Sequence, residues 1–353
     1  MIRAGLIGFG MAGRVFHAPL ISSVEGLELA AVVERNSTNA AQRYPGITTH
    51  RSLDAMLADT SINLFVVATP SGTHFEVTRQ VLKAGKPVIV DKPMSTTAAE
   101  IAQLIELAAA RNILLIPFLN RRWDSDFQTI AQLLNEGCLG RLVFFESRFD
   151  RWRPQPPTNR LWKEDPAQGG GVLLDLGTHL ADQALALFGK PDTVSADILC
   201  ERAWARANDA FTLRLRYPGF TVVLGANSLS TPPGPRFHLR GDRGIYIKSG
   251  LDPQEAALNK VTRISDPNWG QEPPAEWGIL QIDEDGMMIT RPIKSIPGDY
   301  RRFYVAVRNT LFDNAPPPTN AIGAWRIARL LEWAVESSDQ RREIPCDWSG
   351  EPQ

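Results

Sequence analysis

Three short clusters carry most of the side chains able to do chemistry. The first is Gly8-Phe9-Gly10-Met11-Ala12-Gly13, which follows the apolar run Ile2–Ile7. A G-x-G-x-x-G turn after a strand brings backbone close to a pyrophosphate. The helix that it opens supplies N–H donors and a partial positive charge. Glu34 ends the next apolar run, about 20 residues on, where a carboxylate can accept hydrogen bonds from an adenosine ribose. Its charge would repel a 2′-phosphate, so NAD is the expected cofactor. Arg35 follows at once and either clamps a 2′-phosphate, which makes NADP the second possibility, or lies solvated on adenine. The second cluster is Asp91-Lys92-Pro93, at the end of the run Val88–Val90. A lysine there either enters a cleft at the strand's carboxyl end or is a solvated surface charge. The third is Asp175-Leu176-Gly177-Thr178-His179 behind Gly169-Gly170-Gly171. Asp175 and His179 stand four apart on one helix face, as a working pair or as two groups satisfying each other.

These residues need a scaffold, and the pattern around them describes one. Up to about Asn120, short apolar runs (Ile2–Ile7, Leu29–Val33, Leu64–Ala68, Val88–Val90, Leu114–Pro117) alternate with helical stretches (Gly13–Ser22, Phe75–Ala84, Thr97–Arg111). Such alternation predicts a doubly wound parallel sheet of Rossmann type over residues 1–120. Beyond it the texture changes. A helix is predicted over Ser125–Glu136, capped by Asp124 or Ser125. Strands with alternating character follow at Leu142–Phe149, Val194–Cys200, Phe211–Tyr217 and Phe220–Asn227, and one long helix at Val172–Phe188 interrupts them. Asp283-Glu284-Asp285-Gly286 reads as a hairpin turn. Residues 249–268 read as surface loop with short helical pieces, and Arg301–Phe312 and Ala321–Ser338 as closing helices. The expectation for residues 121–353 is an α+β domain with a mainly antiparallel open sheet that binds substrate and mediates oligomerisation.

Bulk properties exclude other classes. At 353 residues the chain is long enough for two cores. A formal net charge of −1 gives no broad field to recruit nucleic acid or an anionic membrane. No stretch approaches a membrane span in apolar length. The start reads as a strand rather than a secretion signal, and the three cysteines fit neither a zinc site nor a disulfide framework. The five histidines show no pair at zinc-ligand spacing beside a suitable acid, so no metal is expected. The expected location is the cytoplasm.

The motifs, taken in order, resemble one family. Gly8-Phe9-Gly10-Met11-Ala12-Gly13, Ala68-Thr69-Pro70-Ser71-Gly72-Thr73-His74, Asp91-Lys92-Pro93 and Asp175-Leu176-Gly177-Thr178-His179 are similar to the signature of glucose–fructose oxidoreductase, inositol dehydrogenase and MocA, over essentially the whole chain. Asp91 stands where the family usually has glutamate. Phe118–Phe127, Arg151-Trp152-Arg153-Pro154 and Gly250–Glu255 resemble a branch that includes scyllo-inositol dehydrogenases. The resemblance implies hydride transfer between NAD(P) and a carbinol carbon of a cyclitol, sugar or related polyol. It implies that Lys92 contacts the reacting oxygen, Asp175 holds a substrate hydroxyl and His179 moves the proton. Thr69-Pro70 would approach a cofactor ribose, and His74 would fix that turn or cap a helix. Asn120 would touch nicotinamide or substrate. Arg121, Arg151, Asn159 and Trp162 are substrate-pocket candidates, or a charged rim and inter-domain packing. A homodimer, or a tetramer of stacked dimers, is expected through the broad sheet, on the strength of Phe211, Leu213 and Leu215 at alternate positions. Two other functions compete: a glycosidase that oxidises its substrate transiently through tightly held NAD, and a non-catalytic cofactor-binding sensor.

Overall fold

The computed structural model describes residues 1–158, 161–260 and 264–353. The first sheet is parallel, with strands β1 (Ile2–Ile7), β2 (Leu27–Val33), β3 (Thr48–His50), β4 (Leu64–Val67), β5 (Val88–Asp91) and β6 (Leu115–Phe118) in the order β3-β2-β1-β4-β5-β6. Both faces of such a sheet are covered, so β4 reads Leu-Phe-Val-Val with every residue buried. The connecting helices are α1 (Ala18–Ser22, entered through a π-helical turn at Gly13–His17), α2 (Asn39–Arg43), α3 (Leu53–Leu57), α4 (His74–Lys83) and α5 (Ala98–Ala110). The strand order reverses between β1 and β4, and the crevice outside their carboxyl ends is where ligands bind in this topology.

The second sheet follows α6 (Ser125–Asn135). It comprises β7 (Leu142–Asp150), β8 (Thr193–Leu199), β9 (Ala210–Tyr217), β10 (Phe220–Asn227), β11 (Phe237–Gly241), β12 (Gly244–Lys248), β13 (Gly278–Glu284), β14 (Met287–Ile293) and β15 (Ile344–Pro345). The order is β14-β13-β12-β11-β7-β10-β9-β8-β15, antiparallel except for β7 beside β10. Its remaining helices are α7 (Thr178–Phe188), α8 (Gln254–Asn259), α9 (Arg301–Asp313) and α10 (Ala321–Gln340). Helices α6, α7 and α10 cover one face, burying Ile130, Leu180 and Leu330 against Leu213, Leu224 and Leu239. The closing helices also return to the first sheet. Phe303 and Tyr304 of α9 pack with Phe118 on one side, and Trp325 of α10 packs with Ile101 and Leu104 of α5 on the other. No described helix is long and apolar enough to cross a membrane.

Three expectations need correction. Phe211, Leu213 and Leu215 do not line the open face: they point into the helix layer and are buried within one chain, while Thr212, Arg214 and Arg216 face outward. The outer face instead carries Phe144, Val223, Ile245, Ile247 and Ile279, with Ile247 paired directly to Ile279. Asp124 occupies the N-cap of α6 without capping it. Its carboxylate accepts from Arg121 and from the Tyr300 hydroxyl, and the Ser125 amide donates instead to Asp252, at 2.7 Å. Finally, β3, α2, α3, β11, β12 and β15 are additional to the elements read from the sequence.

Candidate active site

Five loops at the carboxyl ends of β1, β2, β4, β5 and β6 open into one cleft of about 1290 Å³, and residues after β7 with the start of the α7 segment form its far wall. The glycine turn is built as its sequence implies. Gly8 has φ +98°, and a Cβ there would lie 2.8 Å from the Ala68 carbonyl oxygen. A Cβ on Gly13 would lie 2.2 Å from the Gly8 carbonyl, so only glycine lets the helix seat on the turn. A Cβ on Gly10 would meet no protein atom within 4 Å. That open approach to backbone N–H groups suits a pyrophosphate. Phe9, Met11 and Ala12 line the same wall. The residues present thus fit a dinucleotide.

At the end of the cleft beside β2, Glu34 is largely committed to its own loop. One carboxylate oxygen accepts from the Ser37 hydroxyl and the other from the Ala40 amide at 3.0 Å. Burial pushes its carboxyl up, but these donors prevail and hold it below the ordinary value. Arg51 braces the loop by donating to the carbonyls of Glu34 and Ser37. Arg35 lines the same end and is exposed. His74 is a staple between turns: its two ring nitrogens lie 2.7 Å from the Pro93 carbonyl and 2.8 Å from the Thr69 carbonyl. Thr69 and Pro70 line the cleft, whereas Pro93 and Gly13 stand behind it.

At the other end, Lys92 Nζ donates to the Asp175 carbonyl at 2.7 Å and to its Oδ1 at 2.9 Å. The backbone before it is fixed, because Asp91 Oδ1 accepts the Lys92 amide at 2.9 Å. Asp91 lies 3.8 Å from His17, whose other nitrogen is 2.6 Å from the Tyr304 hydroxyl, so α9 buttresses the lysine turn. Asp175 sits in a π-helical turn, Leu173–Gly177, a form often found at functional sites. Its Oδ2 accepts from Lys163 at 2.8 Å. Burial alone would raise the Asp175 carboxyl, but Lys92 and Lys163 together hold it well below the usual range. His179 lies in the first turn of α7, just beyond the π-helical turn. Burial first, then Lys92 and Arg121, push its imidazole well below the ordinary histidine value, so it is neutral at pH 7. Among the described residues Asp175 and His179 share no hydrogen bond, so the two are not spent on each other.

Asn120 and Arg121 lie on a 3-10 turn directly after β6. Asn120 lines the cleft. Arg121 is engaged elsewhere: it donates to Asp124 at 3.1 Å and to Glu255 at 2.5 Å, and it stacks on Phe149. The same turn anchors α7, through Arg122 on Asp182 and Gln183 on the Arg121 carbonyl, and thereby sets the position of His179. Arg151 and Trp162 line the wall, and Asn159 lies outside the described residues. Sequence reasoning missed Lys163 and Glu255 as cleft residues. Lys163 adjoins Trp162, but nothing local ties it to Asp175. Glu255 is paired to Arg121 across 134 positions.

Comparison with known proteins agrees with this architecture. Residues 2–118 match the model of an oxidoreductase family with an NAD-binding Rossmann fold, and residues 127–247 match the GFO/IDH/MocA C-terminal domain. The uncharacterized oxidoreductase YdgJ of Escherichia coli is 38% identical over 97% of this chain and 98% of its own. The scyllo-inositol 2-dehydrogenase (NADP(+)) IolW of Bacillus subtilis is 33% identical over 97% of this chain and 95% of its own. The crystal structure of an oxidoreductase from Bacillus cereus superposes with a TM-score of 0.89 at 30% identity, covering 98% of this chain and 99% of that one. With the glycine cradle, the lysine turn and the Asp175–His179 segment meeting in one cleft, and with relatives matched from end to end, the chain belongs to the GFO/IDH/MocA family of NAD(P)-binding oxidoreductases and is a dehydrogenase.

Proposed function

We propose that this dehydrogenase acts on a CH–OH group of a cyclitol, sugar or related polyol, with Lys92, Asp175 and His179 as its working residues. One observation carries the reading: a neutral histidine stands beside a lysine-bridged carboxylate in the cleft that holds the dinucleotide cradle. When bound, NAD(P) supplies the nicotinamide carbon that takes or gives the hydride. The chain supplies the rest. Asp175 accepts a hydrogen bond from a substrate hydroxyl and fixes the ring. His179 takes the proton of the reacting hydroxyl through a ring nitrogen, which its neutral state allows. Lys92 places positive charge where the oxygen becomes anionic, the kind of aid that preorganised donors give best. The scyllo-inositol 2-dehydrogenase among the relatives supports a cyclitol, without fixing the substrate. The test is a screen of inositols, aldoses and open polyols with NAD and NADP separately, following nicotinamide absorbance. Net cofactor reduction with at least one polyol is expected. Hydrolysis of a glycoside with no net reduction would replace this reading with the transient-oxidation glycosidase.

Cofactor choice follows from the adenosine end. Glu34, held ionised by Ser37 and Ala40, keeps the charge that repels a 2′-phosphate, and Arg35 lies beside it. Glu34→Ala is expected to improve NADP use relative to NAD, and Arg35→Ala to harm NADP more than NAD, each by about tenfold in kcat/KM, the scale of one charge-assisted contact. Unchanged ratios in both variants would remove this loop from cofactor selection.

The same reading includes a homodimer through the outer face of the second sheet. Ile247 and Ile279 are neighbours there and exposed, and such a patch is ordinarily covered. Light scattering should give twice the chain mass, and Ile247→Glu should halve it. A monomeric wild type at micromolar concentration would refute the dimer. The free thiols Cys138, Cys200 and Cys346 suit a cytoplasmic home.

A further inference from the structure

The far wall of the cleft holds a cation whose partner is not supplied by the described chain. Arg151 follows β7 directly, and its backbone is pinned on both sides. Its amide donates to the Asn227 carbonyl, and its carbonyl accepts from the Ser230 amide, each at 3.0 Å. Its side chain lines the cleft within electrostatic reach of Asp175, Glu255, Arg121 and Arg153. The neighbouring cations are matched. Lys92 and Lys163 divide the oxygens of Asp175, Arg121 holds Asp124 and Glu255, and Arg202 holds Asp209 at 2.7 Å. Arg151 and Arg153, among the described residues, have no carboxylate within ion-pair distance.

That arrangement is unfavourable for the free protein. Burial, and then the nearby Arg153, lower Arg151 from the ordinary arginine value, as expected for a desolvated cation beside a like charge. Half-buried on the cleft wall beside a second cation, Arg151 is stabilised by an anion that enters the cleft. The dinucleotide's phosphates belong at the glycine turn, where Gly10 leaves the approach open, rather than beside Asp175. The missing partner therefore belongs to the substrate.

We propose that Arg151, with Arg153 at the rim, is the receptor for an anionic group on the substrate, a carboxylate or a phosphate carried on the polyol away from the reacting carbon. This rests on the polyol reading and narrows it: acidic or phosphorylated sugars and cyclitols bind better than neutral ones. Guanidinium suits both anions, because its fork pairs with two oxygens at once. Neutral polyols would leave the cation unmatched.

Calorimetry on the full chain saturated with NADP+ tests the proposal without depending on turnover. The probes are glucose, glucuronate and glucose 6-phosphate, with wild type and Arg151→Met. At least one anionic probe is expected to bind about ten- to a hundredfold more tightly than glucose, the usual worth of a charge-assisted pair. Preference for glucuronate marks a carboxylate site and preference for glucose 6-phosphate a phosphate site. Arg151→Met should abolish the difference and leave NADP+ affinity unchanged. Three probes binding alike, or none binding, overturns the proposal. So does an anion preference that survives Arg151→Met, or a matching loss of NADP+ affinity, which would assign the arginine to the cofactor. If Arg151→Met fails to fold, the wild-type ranking and its weakening by added salt still decide. A failed turnover screen would refute the polyol reading while leaving the charge preference standing, so the two failures are separable.

Discussion

Lys92→Ala should lower kcat by about 10²–10³-fold, the usual effect of losing one preorganised donor at a developing oxyanion, while NAD(P) affinity changes little. The separation follows from placement. On the proposed reading, dinucleotide affinity comes from the Gly8–Gly13 turn and the Glu34 loop, whereas Lys92 Nζ is held by Asp175 at the opposite end of the cleft. The variant should still fold, because Asp175 keeps Lys163. A second readout distinguishes catalytic charge from mere packing. Lys92 is the foremost charge opposing protonation of His179, after burial itself. Removing it should raise the histidine pKa, so the acidic limb of the residual kcat/KM profile should move to higher pH. Equal losses in cofactor affinity and turnover, with a stationary limb, would make Lys92 a binding residue instead.

How far these residues could be read from sequence depended on whether their meaning was local. The Gly8–Gly13 turn was legible because Gly8 and Gly13 answer to neighbours one strand away or within the motif, while Gly10 stays open. Strands β1 and β10 have the same bounds in sequence and structure, since continuous or alternating apolar runs state their own burial. Strand β3, Thr-Thr-His, has no apolar period to read, and β11 and β12 are separated only by Asp242 and Arg243, with Gly241 closing β11. Side-chain pairing over distance was hidden altogether. Nothing near Arg121 announces Glu255, nothing near Asp175 announces that two lysines from different loops divide its carboxylate, and nothing near Ser125 announces Asp252 as its cap. Glu34 is intermediate. Its spacing from the glycine turn brings it to the cleft, but the donors that occupy its oxygens are set by how the next loop folds back.

His179→Ala should lower kcat/KM for polyol oxidation by about 10²–10⁴-fold, the range of positioned acid–base catalysis, and should remove the acidic limb of the pH profile. Oxidation requires the imidazole to start neutral. A free histidine titrates near 6.5, so an unperturbed base would already lose activity at mildly acid pH. Here burial, Lys92 and Arg121 all disfavour the imidazolium, and the attraction of Asp175 only partly offsets them. The folded-state pKa lies below the ordinary value, and the wild-type acidic limb should therefore appear below about pH 6.5. Reduction in the opposite direction needs the protonated form, so its rate should rise as pH falls toward the same pKa, as reversibility of one proton transfer demands. If His179 only packs in the cleft and water moves the proton, His179→Ala will cost little and keep the limb. Measuring kcat/KM against pH in both directions for the two proteins decides the matter, and a limb that persists in the alanine variant would exclude His179 as the base.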